Sequence, residues 1–173
     1  MAYDVVIKGG TVIDGTGAPG VAADVAVQDG RIAEVGPGLD GREVLDAGGQ
    51  VVAPGFIDIH THYDAQVFWD PGLTPSSYHG VTTVIAGNCG FSIAPCGPDG
   101  AGILGRTLQH VEDMSLDTLV AGVPWDEFET FGQYLDAIER RGVGLNYGCY
   151  VGHTAVRLYV MGEESTERAA TPD

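Results

Sequence analysis

The chain has 173 residues, which is long enough for one ordinary domain with a hydrophobic core. Its 24 acidic residues outnumber its 8 basic ones, and the formal net charge of −16 argues against anionic partners such as nucleic acids and acidic membranes. Three irregularly spaced cysteines, no signal peptide pattern and no apolar run of about 18 residues predict a soluble, cytoplasmic protein without disulfide bonds.

The first 53 residues show the pattern of a small all-β unit. Short β-branched segments alternate with glycine-rich turns, and Asp29-Gly30 is a strong signal for a two-residue hairpin. So many short strands predict a small sandwich or open barrel that packs on the rest of the chain. The predicted strands cover residues 4–8, 11–15, 24–28, 31–36, 43–46 and 50–53.

From Pro54 onward the pattern changes to strands that alternate with helices or long links. Phe128, Phe131, Leu135 and Ile138 form an apolar stripe, which predicts a helix from about residue 125 that ends at Gly142. Repeated strand-link-strand units predict a parallel sheet with right-handed crossovers. The predicted order is a strand over 55–62, a short helix over 76–80, a strand over 81–86, an irregular loop over 91–105, one or two helical turns over 116–120, the long helix, a strand over 145–151 and a loop over 154–160.

Potential metal ligands follow these predicted strands. His60 and His62 are spaced i, i+2, so on a strand both imidazoles lie on one face and form half of a metal site. Cys89 follows the strand over 81–86, and its thiolate would complete or bridge the site. A nitrogen and sulfur set favours zinc, which lowers the pKa of bound water to about 7. The alternative for Cys89 is a small buried apolar side chain.

Other polar residues are weaker candidates. Asp58 shares the predicted face of the two histidines, Asp64 lies in the following loop, and His153 ends the third strand. We expect the two aspartates to orient a ligand, and His153 to bind metal or contact substrate. A serine nucleophile elbow and a phosphate-binding P-loop are both missing from the sequence. The cysteines and histidines predicted to be structural or on the surface are Cys96, Cys149, His79 and His110.

Several motifs together resemble a known family. DVVIKGGTVIDG at 4–15, DGRI at 29–32 and PGFIDIHTH at 54–62 resemble the opening of the metal-dependent amidohydrolase superfamily. The resemblance covers essentially the whole chain. Further motifs are similar to one branch of this superfamily, the N-acyl-D-amino-acid deacylases (D-aminoacylases). They are GVTTV at 80–84, GNCGFS at 87–92, PW at 124–125 and VGH at 151–153.

The resemblance implies an α/β fold in two parts. Residues 1–53 would be part of a small β-sandwich, and residues 54–173 the first three strands of a (β/α)8 TIM-type barrel that is incomplete in this chain. His60 and His62 would bind the more buried of one or two zinc ions. Cys89 would replace the carboxylated lysine of hydantoinase-like relatives, which agrees with Lys8 being the only lysine. Candidates for supporting the site or contacting substrate are Asp58, Asp64, Asn88 and His153.

The implied activity is zinc-dependent hydrolysis of the amide bond of N-acyl-D-amino acids, which are small-molecule substrates. No catalytic residue is expected within the chain, because the family's aspartate, its substrate-binding arginine and two further histidines would lie beyond Asp173. We therefore expect an N-terminal portion that is inactive alone, of unspecified oligomeric state. The alternatives are a cyclic amidohydrolase of hydantoinase or dihydroorotase type, and a non-catalytic truncated barrel that only binds metal or partners.

Overall fold

The computed structural model describes residues 2–172. The chain divides into two compact units, Met1–Pro54 and Gly55–Asp173, and each is described separately. Among the described residues, none of the helices is long and apolar enough to cross a membrane.

Among its described residues, the first unit contains one five-stranded sheet. Its strands are β1 (Tyr3–Val12), β2 (Val21–Gln28), β3 (Arg31–Gly36), β4 (Gly41–Asp46) and β5 (Val51–Val52). The strand order is β3-β2-β1-β4, and β5 also pairs with β1. β2 pairs antiparallel with β1 and β3, whereas β4 and β5 run parallel to β1. The predicted hairpin at Asp29-Gly30 joins β2 to β3.

The two strands predicted over residues 4–8 and 11–15 are in fact one strand. β1 continues through Gly9-Gly10, and its register with β2 shifts between Ile7 and Gly10. An irregularity of this kind bends a strand without ending it, so the glycine pair is a bulge and not a turn.

Asp24 is a buried acid in the first unit. Its side chain is 6% exposed, and its two carboxylate oxygens accept hydrogen bonds from the backbone N–H groups of Gly9 (2.9 Å) and Leu39 (3.1 Å). The Gly9 bond is the main cause that holds the pKa of Asp24 below its ordinary value, and the Leu39 bond adds to it. The carboxylate therefore links β1, β2 and the segment that precedes β4.

We expect Asp24→Asn to destabilise the first unit at neutral pH. The N–H groups of Gly9 and Leu39 each donate to a separate carboxylate oxygen, and the asparagine amide has only one acceptor oxygen. A depressed folded-state pKa contributes stability above the unfolded value of about 3.9, and this stability is lost as the pH falls. The difference in melting temperature between wild type and variant should thus shrink below about pH 4. Asp14→Asn is the control, because Asp14 is exposed and its carboxylate accepts local hydrogen bonds from Thr16, two residues away, and so links no distant segments. Equal losses in both variants would contradict this account.

In its described part, the second unit combines a three-stranded sheet with five α-helices. These elements are β6 (Phe56–Thr61), α1 (Tyr63–Gln66), β7 (Val81–Ala86), α2 (Ala101–Glu112), α3 (Leu116–Gly122), α4 (Phe131–Arg141), β8 (Asn146–Cys149) and α5 (His153–Met161). Short 3-10 helices cover Ser76–His79 and Gly162–Thr166. The sheet order is β6-β7-β8 and both pairings are parallel, as predicted, so the α/β class is confirmed.

Two predicted loops contain helices. α2 begins inside the predicted loop over 91–105, and α5 replaces the one over 154–160. The sequence prediction was wrong for α2 because its glycines disfavour a helix, whereas Leu104 and Leu108, one turn apart, are buried in the core. A Cβ atom on Gly105 would lie 3.0 Å from Leu116 Cδ1, so the glycine allows α2 and α3 to approach closely.

α4 begins six residues later than predicted. Thr130 forms a capping box with Gln133: its hydroxyl accepts from the Gln133 N–H (3.3 Å), and Gln133 Oε1 accepts from the Thr130 N–H (2.9 Å). Phe128 is buried but lies before the helix, and Leu135 of the predicted stripe is 37% exposed. The residues that α4 buries are Tyr134, Ala137 and Ile138.

Tyr134 links α4 to the segment that follows β6. Its side chain is fully buried, and its hydroxyl donates to the Asp64 carbonyl (3.1 Å) and bonds to the Tyr147 hydroxyl (2.7 Å). Because Asp64 follows the two histidines directly, this hydrogen bond helps to fix the backbone beside them.

Tyr134→Phe should lower the free energy of unfolding by about 1–3 kcal/mol, because it leaves the Asp64 carbonyl and the Tyr147 hydroxyl without a buried partner. Urea unfolding measures this change. Tyr159→Phe is the matched control: the Tyr159 side chain is 43% exposed and its hydroxyl bonds to Glu129 (2.9 Å), so we expect a change within about 0.5 kcal/mol. Equal losses in the two variants would show that the buried hydrogen bonds of Tyr134 contribute no more to stability than the exposed one of Tyr159.

Candidate metal centre

Two histidines and one cysteine meet at the carboxyl edge of the β6-β7-β8 sheet. One donor atom each from His60, His62 and Cys89 lies within 4.8 Å of the other two. His62 Nε2 is 3.6 Å from Cys89 Sγ, and the two imidazole centroids are 5.5 Å apart. They meet because β6 and β7 are parallel neighbours, with Thr61 opposite Ala86, so the residues that end both strands lie together. The three side chains predicted as ligands are therefore grouped in the structure.

The two histidines do not share a strand face in the simple way that was predicted. β6 ends at Thr61, and His62 immediately precedes α1. The register with β7 is irregular between Asp58 and Thr61, which changes the alternation of side chains at His60. Thr61 is buried and its hydroxyl donates to the Ile85 carbonyl (3.1 Å), so it anchors the end of β6 to β7.

Cys89 lies in a turn after β7 and not on the strand itself. β7 ends at Ala86, and the Gly90 N–H donates to the Gly87 carbonyl (3.0 Å) to close the turn. Asn88 donates from Nδ2 to the Ile59 carbonyl (2.9 Å), which ties this turn to β6. Cys89 is exposed, so the alternative of a buried apolar cysteine is wrong.

Glu112 is a fourth polar residue at the centre, and the sequence analysis did not identify it. Its Oε1 lies 3.2 Å from His62 Nε2, the nitrogen that also faces Cys89. Glu112 ends α2, a helix predicted in part as a loop, and no local motif marks it. Only the packing of α2 brings it here.

The chemistry of these donors fits a cation. Imidazole nitrogens and a thiolate are preferred zinc ligands, and the three are close enough to bind one ion. On the far side of the His62 ring, Nδ1 is buried without a hydrogen-bond partner among the described residues. The tautomer of His62 is therefore not set by a bond at Nδ1, and Nε2 remains available to a ligand.

Asp64 is fully buried directly after the histidines. Its Oδ1 faces Cys149 Sγ (3.8 Å), and its Oδ2 has no hydrogen-bond partner within residues 2–172. Burial raises the pKa of Asp64 to about 7, hydrogen bonds oppose the shift, and the negative charge of Glu112 adds to it. Asp58, by contrast, accepts from the His60 backbone N–H (3.3 Å), so it contacts the main chain of a predicted ligand and supports its position there.

The remaining candidates lie outside this group. His153 is exposed at the start of α5, and the next residue, Thr154, donates to the Gly90 carbonyl (3.0 Å) beside the turn that carries Cys89. Burial raises the pKa of the Cys96 thiol to about 11, and it also raises the pKa of the Cys149 thiol, so neither favours a thiolate. The two histidines predicted at the surface, His79 and His110, are exposed.

Comparison with known proteins places these residues in a family context. Residues 43–173 match the amidohydrolase family. The chain is 40% identical to a D-aminoacylase of Alcaligenes xylosoxydans xylosoxydans, an alignment that covers 99% of this chain and 33% of that protein. It is 39% identical to an N-acyl-D-aspartate deacylase of the same organism, over 97% of this chain and 31% of the relative. The chain thus spans about a third of the length of these relatives.

Solved structures give the same result. A D-aminoacylase described as having a binuclear metal centre is similar with a TM-score of 0.81 and 40% identity, over 99% of this chain and 34% of that one. An N-acyl-D-glutamate deacylase from Bordetella bronchiseptica, solved with zinc and a phosphonate inhibitor that mimics the tetrahedral intermediate, is similar with a TM-score of 0.79 and 35% identity, over 99% of this chain and 34% of that one.

Proposed function

Because this chain belongs to the amidohydrolase family, we propose that it is part of a zinc-dependent enzyme that hydrolyses the amide bond of N-acyl-D-amino acids. The observation that carries the proposal is the group of mutually close donor atoms on His60, His62 and Cys89. Relatives named for deacylation of N-acyl-D-amino acids support the substrate class, and one relative solved with zinc supports the metal.

In this proposal His60, His62 and Cys89 hold one or two zinc ions. Bound zinc acts as a Lewis acid that lowers the pKa of water toward 7 and polarises an amide carbonyl. The protein's contribution is to hold the donors in place. Thr61 anchors the end of β6 to β7, and Asn88 anchors the Cys89 turn to β6. Asp58 holds the His60 backbone, while Asp64 and His153 remain candidates for orienting a ligand or contacting substrate.

We further propose that the first unit is part of a β-sandwich domain, and that β6, β7 and β8 are the first three strands of a (β/α)8 barrel. The sandwich assignment rests on the five-stranded sheet, and the barrel assignment on the consecutive parallel strands whose carboxyl ends carry the donors. The group that moves the proton then belongs to a part of the enzyme outside this chain. We refer to that longer protein as the complete enzyme.

The test is to measure the zinc content of the complete enzyme and its hydrolysis of N-acetyl-D-amino acids, with the L-enantiomers as controls. We expect at least one zinc per chain, loss of activity after chelation, and preference for the D-enantiomers. Hydrolysis restricted to cyclic amides such as hydantoins would favour the cyclic amidohydrolase alternative. A protein that binds zinc without turnover would favour the non-catalytic one.

A further inference from the structure

The carboxylate of Glu112 is the unexplained feature of the metal centre. Glu112 is the last residue of α2, and its Oε1 is 3.2 Å from Nε2 of His62, which is itself 3.6 Å from Cys89 Sγ. The geometry points to Glu112 as a further protein donor to the cation held by His60, His62 and Cys89. This inference rests on the proposed function, because it assumes that these three residues bind a metal.

Two groups that carry lone pairs converge on Nε2 of His62. A neutral imidazole nitrogen carries at most one proton, yet Nε2 faces both the sulfur of Cys89 and an oxygen of Glu112, and a carboxylate oxygen only accepts. A single hydrogen bond satisfies one of these contacts and leaves the other uncompensated. A cation bound by His62 Nε2 and Cys89 Sγ removes this conflict, because the Glu112 carboxylate then faces a positive charge.

The separations also match the preferred geometry of zinc. With zinc bonds of about 2.0–2.1 Å to nitrogen, about 2.0–2.2 Å to oxygen and about 2.3 Å to sulfur, tetrahedral edges are about 3.4 Å for N···O and about 3.6 Å for N···S. The contacts of His62 Nε2 are 3.2 Å and 3.6 Å. Glu112 contacts His62 but is not among the three donors that lie within 4.8 Å of one another. Its flexible side chain therefore has to move closer to the other donors when a cation binds.

The local charges also favour a cation beside Glu112. The carboxyl end of a helix is the negative end of its dipole, so a glutamate as the last residue of α2 is unfavourably placed without a nearby cation. A thiolate and a carboxylate together neutralise a divalent ion. The side chains of His62 and Glu112 are only 17% and 23% exposed, so solvent screens this interaction weakly.

The test is to compare the complete enzyme with its Glu112→Gln variant, which keeps the size of the side chain and removes its charge. Zinc affinity, measured by competition with a chelator, should fall by more than about 100-fold, beyond the loss typical of residues that only support a ligand. The visible absorption of the cobalt-substituted protein should change, because a ligand is lost. Asp113→Asn is the matched control: it removes the same charge from the next residue, which is exposed and has a left-handed φ of 54° that asparagine tolerates.

Glu112→Asp keeps the carboxylate and should retain more affinity than Glu112→Gln. Circular dichroism of the metal-free proteins should be unchanged, which separates loss of a ligand from loss of α2. An unchanged cobalt spectrum in Glu112→Gln, or equal loss of affinity in Asp113→Asn, would overturn the inference while leaving the zinc site intact. If the wild-type protein bound no zinc, both this inference and the proposed function would fail.

Discussion

Cys89→Ala is expected to lower the zinc affinity of the complete enzyme by more than about 100-fold, beyond the loss typical of residues that only support a ligand. Cys89 is the only residue from the β7 side in the donor group, and its sulfur is the strongest candidate ligand for zinc there. Because Cys89 is exposed, its thiol contributes little packing, and the metal-free protein should unfold at an unchanged urea concentration. Chelator competition and urea unfolding of the metal-free protein measure the two effects.

Cys96→Ala is the control and should show the reverse pattern. Cys96 is 5% exposed, belongs to the hydrophobic core and lies outside the donor group. Its truncation should lower stability and leave zinc affinity unchanged. Zinc binding at wild-type strength by Cys89→Ala would refute the ligand role of the sulfur.

Gly87→Ala should lower the free energy of unfolding by about 2–5 kcal/mol. This loss is the sum of two costs: alanine in a left-handed backbone conformation, and overpacking by its added methyl group. Gly87 has a φ of 75°, and a Cβ atom there would lie 2.4 Å from the carbonyl oxygen of Tyr150. This oxygen has little freedom to move, because the Tyr150 N–H donates to the Ala86 carbonyl (2.9 Å). Since Cys89 is two residues away, the variant should also weaken zinc binding.

Gly80→Ala separates the two contributions. Gly80 precedes β7 as Gly87 follows it, and its φ of 77° is nearly the same. A Cβ atom there would meet two ring carbons of Phe56, at 3.7 and 3.8 Å, which are ordinary contacts. We expect a loss of about 1–2 kcal/mol from the backbone alone. Urea unfolding of both variants measures the difference between their losses of stability. Equal losses would mean that the Tyr150 carbonyl moves away from the added methyl group at little cost.

Local sequence patterns predicted the parts of the fold that depend on local chemistry. The β-branched run of β7, the hairpin turn at Asp29-Gly30 and the histidine pair next to a predicted strand were all recognisable without tertiary information. The meeting of His62 with Cys89 could be expected too, because consecutive parallel strands place their carboxyl ends side by side.

The remaining features depend on packing between distant segments. The glycines of α2 have low helix propensity, so α2 was not predicted from the sequence. The position of Glu112 at its end could therefore not be predicted either. The start of α4 is set by the reciprocal hydrogen bonds between Thr130 and Gln133. The apolar stripe, which includes Phe128, predicted an earlier start. The burial of Asp64 depends on α4 and β8, which supply Tyr134 and Cys149.

The contact between His62 and Cys89 has a consequence for the unfolded chain. The two residues are 27 positions apart, so an ion bound to both closes a loop that contains α1 and all of β7. In the chain-entropy treatment of cross-links, a loop of this length restricts the denatured ensemble by about 3.6 kcal/mol. The metal would thus act as a removable cross-link: its loss would free the denatured chain and lower the free energy of unfolding, while the hydrogen bonds of Thr61 and Asn88 still join β6 to β7.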